Sequence, residues 1–338
     1  MSTIEDKTPD YLYELVESYN DDYIFYQQGN IPFLLTFPHS GKNKIEGVGV
    51  RKKGIIDPDH HTDDLAMAII RCFNCYHCFC KNCNCNKNSN NNNNSSSSGE
   101  GASSSPEHHH PDHSCNCEIK CQCHTMKQCD HVSDLKYYKD CPRPFIVYSK
   151  IHRKNCDFNR PEDKAYEDIR MKPHYDLYHR VIREYITKIK TEMNVQPLLL
   201  DMHGQSDLVN HILRGTKDLK TVFQLLRDNG GDQVLSGPNS ILGYIHRHGI
   251  PVFPDPDPSV PAPLTKSQKI QLDPHKEHPH YNGAFTVINY SSEPININTI
   301  QVEVGFKWRS DYQNIIYFSK TFRDAILQFH RVYYLKKK

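Results

Sequence analysis

Residues 197–204, Pro-Leu-Leu-Leu-Asp-Met-His-Gly, restrict the fold more than any other stretch of this chain. Three consecutive leucines leave a strand no polar face, so the strand has to be covered on both sides. Strands of that kind belong to α/β sheets, whose ligands gather outside the carboxyl ends. His203 falls at such an end, where an imidazole can bind a metal or move a proton. A single strand-end His is just as readily a structural group bonded to backbone. The rest of the chain has to decide between the two.

Other elements follow the same order of strand and helix. Residues 32–37 read as a buried strand, and Pro38-His39-Ser40-Gly41 follows at its carboxyl end. Thr62 to about Phe73 reads as a helix, with Thr62 as its cap and Leu65, Ala68, Ile69 and Cys72 on one face. Phe145-Ile146-Val147-Tyr148 predicts a second strand. Leu177, Val181, Ile182, Tyr185, Ile189 and Met193 form a helical stripe over 174–193. Residues 207–250 read as mostly helical or irregular, and the proline-rich stretch from Pro251 to about His280 as a long surface loop. Late strands are predicted at Phe285–Ile288 and Thr299–Val304, followed by a final helix with Phe322, Ala325, Ile326, Phe329, Val332 and Tyr333 on one face. The alternation predicts an α/β fold with a mixed, largely parallel sheet.

The chain has 338 residues, and 74–141 cannot contribute an ordinary core. That segment holds Cys75, Cys78, Cys80, Cys83 and Cys85, then a run of only Asn and Ser (88–98). A second cluster runs from His108 to His131 and includes Cys115, Cys117, Cys121, Cys123 and Cys129. It reads as a disordered, low-complexity insertion in a surface loop. Its overlapping Cys-x-x-Cys pairs (Cys72/Cys75, Cys75/Cys78, Cys80/Cys83) match no single zinc-finger pattern, but they make extra metal binding there a candidate. The expected organisation is a polar lead-in (1–30), one domain made of 31–73 and 142–338, and the insertion (74–141). Removing the insertion leaves about 270 residues, enough for one α/β domain.

Net charge is +1, from 41 basic and 40 acidic residues, which gives no footprint for nucleic acid or an anionic membrane. The first residues, Met1-Ser2-Thr3-Ile4-Glu5-Asp6-Lys7, lack the apolar core of a secretory signal. No apolar run reaches the roughly 18 residues a membrane helix needs. A cytoplasmic protein with neither nucleic-acid nor membrane partners is expected, with thiols reduced or on metal.

Chemistry-bearing residues recur at the predicted strand ends. Catalytic zinc takes three ligands from His and Asp or Glu and keeps one position open. His39, one acid from Asp57-Pro58-Asp59-His60-His61-Thr62-Asp63-Asp64 and His203 fit that count. Glu303 sits inside a β-branched strand, where a carboxylate is costly unless paired or used, so it is the candidate general base. A structural ion pair with Arg153 or Arg160 is the competing explanation. Asn159-Arg160 offers a planar fork for a substrate carboxylate.

In order and approximate spacing the chain resembles the N-formylglutamate amidohydrolase family. The matching elements are Pro38-His39-Ser40-Gly41, Asp59-x-x-Thr62-x-Asp64-Leu65-Ala66, and His152-Arg153-Lys154 with Asp157-x-Asn159-Arg160-Pro161. They continue with Tyr178-His179, Leu199-Leu200-Asp201-x-His203-Gly204, Asn282-Gly283-Ala284-Phe285-Thr286 and Ile300-Gln301-Val302-Glu303. The resemblance spans roughly 31–72 and 144–333. The order of site residues is also similar to that of zinc carboxypeptidases, and implies a three-layer α/β/α fold of the phosphorylase/hydrolase kind. Where the family often carries Gly-Gly-Tyr, this chain has Gly283-Ala284-Phe285, a difference expected to act on substrate choice.

The resemblance implies one catalytic zinc on His39, Asp59 and His203, with Asp57, Asp63 and Asp64 as competitors for the middle place. Asp201 would hold His203 from behind. Glu303 would move protons, Arg153 would face the developing oxyanion, and Asn159 with Arg160 would bind the substrate carboxylate. The implied substrate is a small N-acyl amino acid such as N-formyl-glutamate. Two alternatives stand beside it. One is an inactive or redirected member acting as a metal-binding or interaction module through the insertion. The other is a carboxypeptidase-like metallopeptidase.

Overall fold

The computed structural model describes residues 18–20, 22–74, 142–257, 259, 263, 272–273 and 275–335. The insertion, and with it every expectation about its cysteines and histidines beyond residue 74, lies outside these residues. So do residues 1–17.

Among the described residues eight strands form one sheet. They are β1 (Ser18–Asn20), β2 (Ile24–Gln27), β3 (Phe33–Phe37), β4 (Phe145–Ser149), β5 (Leu198–Gln205), β6 (Ile212–Gly215), β7 (Val252–Phe253) and β8 (Asn298–Gly305). Their order across the sheet is β1-β2-β4-β3-β5-β8-β6-β7. The centre, β4-β3-β5-β8, is parallel, while β2 on β4 and β6 on β8 are antiparallel. Every residue of β3, β4 and β8 is buried, as expected for strands covered on both faces.

Five helices matter here: α1 (Thr62–Asn74), α2 (Lys172–Lys188), α3 (Ile241–Arg247), α4 (Phe285–Ser291) and α5 (Tyr312–His330). Asp63 and Asp64 sit in the first turn of α1, where the helix dipole favours negative charge. Pro173 sits in the first turn of α2, where a missing N–H costs nothing. Asp311 caps α5 by accepting from the Gln313 and Asn314 amides.

Helices cover both faces of the sheet, giving the expected α/β architecture. On one face α2 presents Tyr178, Val181, Ile182 and Tyr185 to Leu34, Phe145, Val147 and Leu199, with Tyr290 of α4 in the same cluster. On the other face Phe329 of α5 meets Phe33 edge to face at 5.9 Å, and α5 packs against α3.

Three expectations need correction. The predicted strand at 285–288 is helix α4, which buries Thr286, Val287 and Tyr290 on one side. A four-residue stretch with three apolar members has no period that separates strand from helix. The lead-in is packed from residue 24 on: Tyr26 and Val147 are register partners, and Ile24 is fully buried. The 251–280 loop contains β7, which pairs in parallel with β6. Among the described residues no helix is long and apolar enough to cross a membrane.

Candidate metal centre

Side chains alternate between the two faces of a strand. Register therefore places Thr36 of β3, Asp201 and His203 of β5, and Gln301 and Glu303 of β8 on one face. Toward the amino ends the same face carries Leu34 and Leu199, which pack under α2. The face thus turns from apolar to polar along the strands, and the polar end faces the loops that follow β3, β4 and β5.

Three acceptor atoms converge at that end. His39, two residues past β3, brings Nδ1 to 3.1 Å from His203 Nδ1. Asp59 Oδ2 lies 3.4 Å from the first and 3.2 Å from the second. One ligand atom from each residue lies within 4.8 Å of the others. Both histidines are buried, and the Asp59 side chain is 11% exposed. The three competing aspartates point elsewhere. Asp57 is exposed, Asp63 pairs with Lys42, and Asp64 meets His61 at the surface.

The far nitrogen of each imidazole is held by a carboxylate. His39 Nε2 lies 2.7 Å from Asp157 Oδ1, and His203 Nε2 lies 2.9 Å from Asp201 Oδ2. Asp201 is in turn fixed by the Thr36 hydroxyl, which donates to Oδ1 over 2.6 Å. A carboxylate behind each ring puts the proton on Nε2 and leaves the Nδ1 lone pair for a metal. Two such lone pairs and a carboxylate oxygen then face one another, an arrangement that is repulsive without a cation between them. The donor set, two imidazoles and one carboxylate, fits a catalytic zinc site.

Charge within the cluster agrees. Asp59 and Asp157 meet the buried guanidinium of Arg153, Asp157 also meets that of Arg51, and Arg160 lies 4.0 Å from Asp157. Burial opposes the charge of Asp59, but His39 and His203 hold its carboxyl well below the usual range. Burial opposes the charge of Asp157 too, and His39, Arg153 and Arg160 hold it low. Burial would likewise neutralise His203, but Asp201, Asp59 and Glu303 push its pKa well above the ordinary value. Without a metal, a proton on His203 is the cation the cluster recruits.

Glu303 differs from Asp59 and Asp157. Burial raises its pKa to about 7, only partly offset by His203. It pairs with neither Arg153 nor Arg160, which removes the structural ion pair as its reason for being there. Gln301 Nε2 donates to its Oε1 over 2.7 Å, and its Oε2 is buried with no hydrogen-bond partner among the described residues.

The remaining predicted residues surround the cluster. Arg153 donates from Nε to Asp157 (3.0 Å) and from Nη1 to Asp59 (3.4 Å), so it braces two acids of the cluster. Asn159 is buried, its Oδ1 accepting from the Thr286 amide and hydroxyl at 2.8 and 2.9 Å. Its Nδ2 lies 3.1 Å from His203 Nε2, a nitrogen whose proton goes to Asp201. Arg160 is the cation of the group that faces outward, its side chain 34% exposed.

Several residues went unassigned in the sequence. Asp157 stood inside a recognised motif without a role, and it fixes His39. Arg309 spans the strand ends, donating to the Val304 and Gln205 carbonyls at 3.1 Å each and to the His60 carbonyl. It ties the loop carrying Asp59 to β5 and β8. Gly204 makes room for it: a Cβ there would lie 2.7 Å from Arg309 Nε and 2.9 Å from Thr62 Cγ2. The Gly after His203 was the available signal, since a glycine in a strand marks close approach.

Fold and site together define an α/β protein with a carboxylate-braced His-Asp-His centre at the carboxyl ends of its parallel strands. No family model and no curated protein sequence matches the chain. Among solved structures it is similar to N-formylglutamate amidohydrolase from Ralstonia eutropha JMP134, at 12% identity and a TM-score of 0.46. That alignment covers 92% of this chain and 96% of the other. A gene product from Agrobacterium tumefaciens matches at 10% identity and a TM-score of 0.44, over 91% of this chain and 96% of that one. At these values neither match says what this chain does.

Proposed function

We infer that this chain is a zinc-dependent hydrolase that cleaves the amide bond of a small N-acyl amino acid. The observation that carries the reading is the convergence of His39 Nδ1, Asp59 Oδ2 and His203 Nδ1, each backed so that its lone pair is presented inward. Bound there, zinc supplies a Lewis acid that makes water nucleophilic near neutral pH and polarises a carbonyl oxygen.

The chain's own groups do the rest. Glu303 takes a proton from the attacking water at Oε2, the oxygen left free by Gln301, and passes it to the leaving nitrogen. A carboxyl with a pKa of about 7 is suited to both halves of that transfer at neutral pH. Arg153, with Nε and Nη1 engaged, has Nη2 left for a developing oxyanion. Arg160 is the outward-facing cation beside the centre and takes the substrate carboxylate, while Asn159 holds the floor between His203 and Thr286. N-formyl-glutamate is a substrate of the right class.

The test is release of free amine from a panel of N-acyl amino acids by zinc-loaded protein, with dipeptides as the competing class. Cleavage of N-acyl amino acids that is lost in Glu303→Gln, with zinc still bound, supports the reading. Release from dipeptides alone favours the peptidase, and release from neither overturns hydrolysis.

A further inference from the structure

Glu303 Oε2 and Gln301 Oε1 are both buried, and neither has a hydrogen-bond partner among the described residues. They belong to residues two apart on β8, so they leave the same face of the sheet. The Gln301 amide is fixed in orientation by its neighbour. Its Nε2 donates to Glu303 Oε1, and the reverse orientation would set a carbonyl against a carboxylate. The flanking strand positions supply no donor. Asp201, the partner on β5, is an acceptor engaged by Thr36 and His203, and Gly215, the partner on β6, has no side chain. A buried acceptor without a donor is costly and calls for an explanation.

We propose that Gln301 Oε1 accepts the N–H of the scissile amide while Nε2 holds Glu303 in place, making the enzyme selective for amides that carry a hydrogen on nitrogen. The proposal rests on the hydrolase reading above. In the reaction, water adds to the acyl carbon and its proton passes to Glu303 Oε2. That proton moves to nitrogen as the C–N bond breaks, leaving a carboxylic acid and an amine. The nitrogen gains positive character as it leaves, so its bond to Gln301 Oε1 becomes charge-assisted. An interaction that strengthens along the reaction raises turnover more than affinity. Its expected size is on the order of 10- to 100-fold in kcat.

The experiment uses the zinc-loaded full chain and three matched compounds. These are N-formylglutamate, its N-methyl derivative, and the formate ester of 2-hydroxyglutarate. The wild type is expected to cleave the N-methyl compound about 10- to 100-fold more slowly than the parent, in kcat rather than KM. Gln301→Met is expected to lose the same factor on the amide beyond whatever it loses on the ester, and to level the amide with its N-methyl derivative. The loss shared with the ester reports the positioning of Glu303. Equal wild-type rates on amide and N-methyl amide overturn the proposal, and so does an amide-to-ester ratio unchanged by Gln301→Met. The wild-type comparison stands alone if that variant does not fold. Wild-type failure on these three compounds and on the wider panel of N-acyl amino acids and dipeptides overturns the hydrolase reading, and this proposal with it; failure on these three with cleavage elsewhere in the panel moves the same comparison to the acyl amino acid that is cleaved.

Discussion

Replacing Glu303 with Gln separates its chemical role from its cost to the fold. The substitution keeps the shape and the contact from Gln301 Nε2, and removes the ionisable group. Burial raises the Glu303 pKa from 4.5 to about 7 in the metal-free protein. The difference, 7 less 4.5, at about 1.4 kcal/mol per pH unit, is worth about 3 kcal/mol. The sign follows from proton binding. Below pH 4.5 the folded and unfolded chains both hold the proton and Glu303 costs nothing extra. Above 4.5 the unfolded chain loses its proton first, so the wild type loses stability as pH rises, and the full penalty is present above pH 7. Glu303→Gln escapes it. Denaturant unfolding of chelator-treated protein should therefore show the variant gaining on the wild type by up to about 3 kcal/mol between pH 4 and pH 8. With zinc restored, the same variant should bind metal normally and lose about 100-fold or more in turnover. A stability gap that does not change with pH would refute the buried, unpaired carboxylate. Retained turnover would refute its role as the base.

Other consequences are as direct. Gly204→Ala pushes a methyl into Arg309 and Thr62 and should cost about 1–3 kcal/mol, read by thermal unfolding; an unchanged Tm would mean the strand end yields freely. Asp157→Asn removes the charge behind His39 and should weaken zinc about 10- to 100-fold in a competition titration against a chelating dye. Zinc uptake should release protons from His203, so affinity should rise with pH, and proton release measured in two buffers checks it. A chain lacking residues 76–140 should keep one zinc and its hydrolysis; loss of both would favour an interaction module built on the insertion.

The centre was legible from the sequence because a strand fixes direction. His203 and Glu303 stand on neighbouring strands at one register position, and each follows an apolar stretch that the chain displays openly. His39 was found the same way. Spacing alone left the acid open among Asp57, Asp59, Asp63 and Asp64, which differ only by the course of one loop, and the choice of Asp59 rested on the resemblance and on its place just before the helix. That course is set by the Arg309 bond to His60 and by the Gly204 amide bond to Asp59, contacts far apart in sequence. Arg153 shows the same limit. A guanidinium near a strand end suits an oxyanion or an acid equally well, and only the fold puts Asp59 and Asp157 within its reach. Helix α4 was misread because its apolar run is too short to display a period, and its start is set by Asn159 accepting from Thr286.

The most direct test counts metal on the full chain before and after the centre is removed. Purified protein is saturated with cobalt(II), and its metal content is compared with that of a His39→Ala, His203→Ala double variant. The double variant should hold one equivalent less, and the difference spectrum should lack thiolate-to-metal charge transfer, since the ligands are two imidazoles and a carboxylate. Equal metal content in the two proteins, or a difference spectrum dominated by thiolate, would contradict the centre proposed on His39, Asp59 and His203.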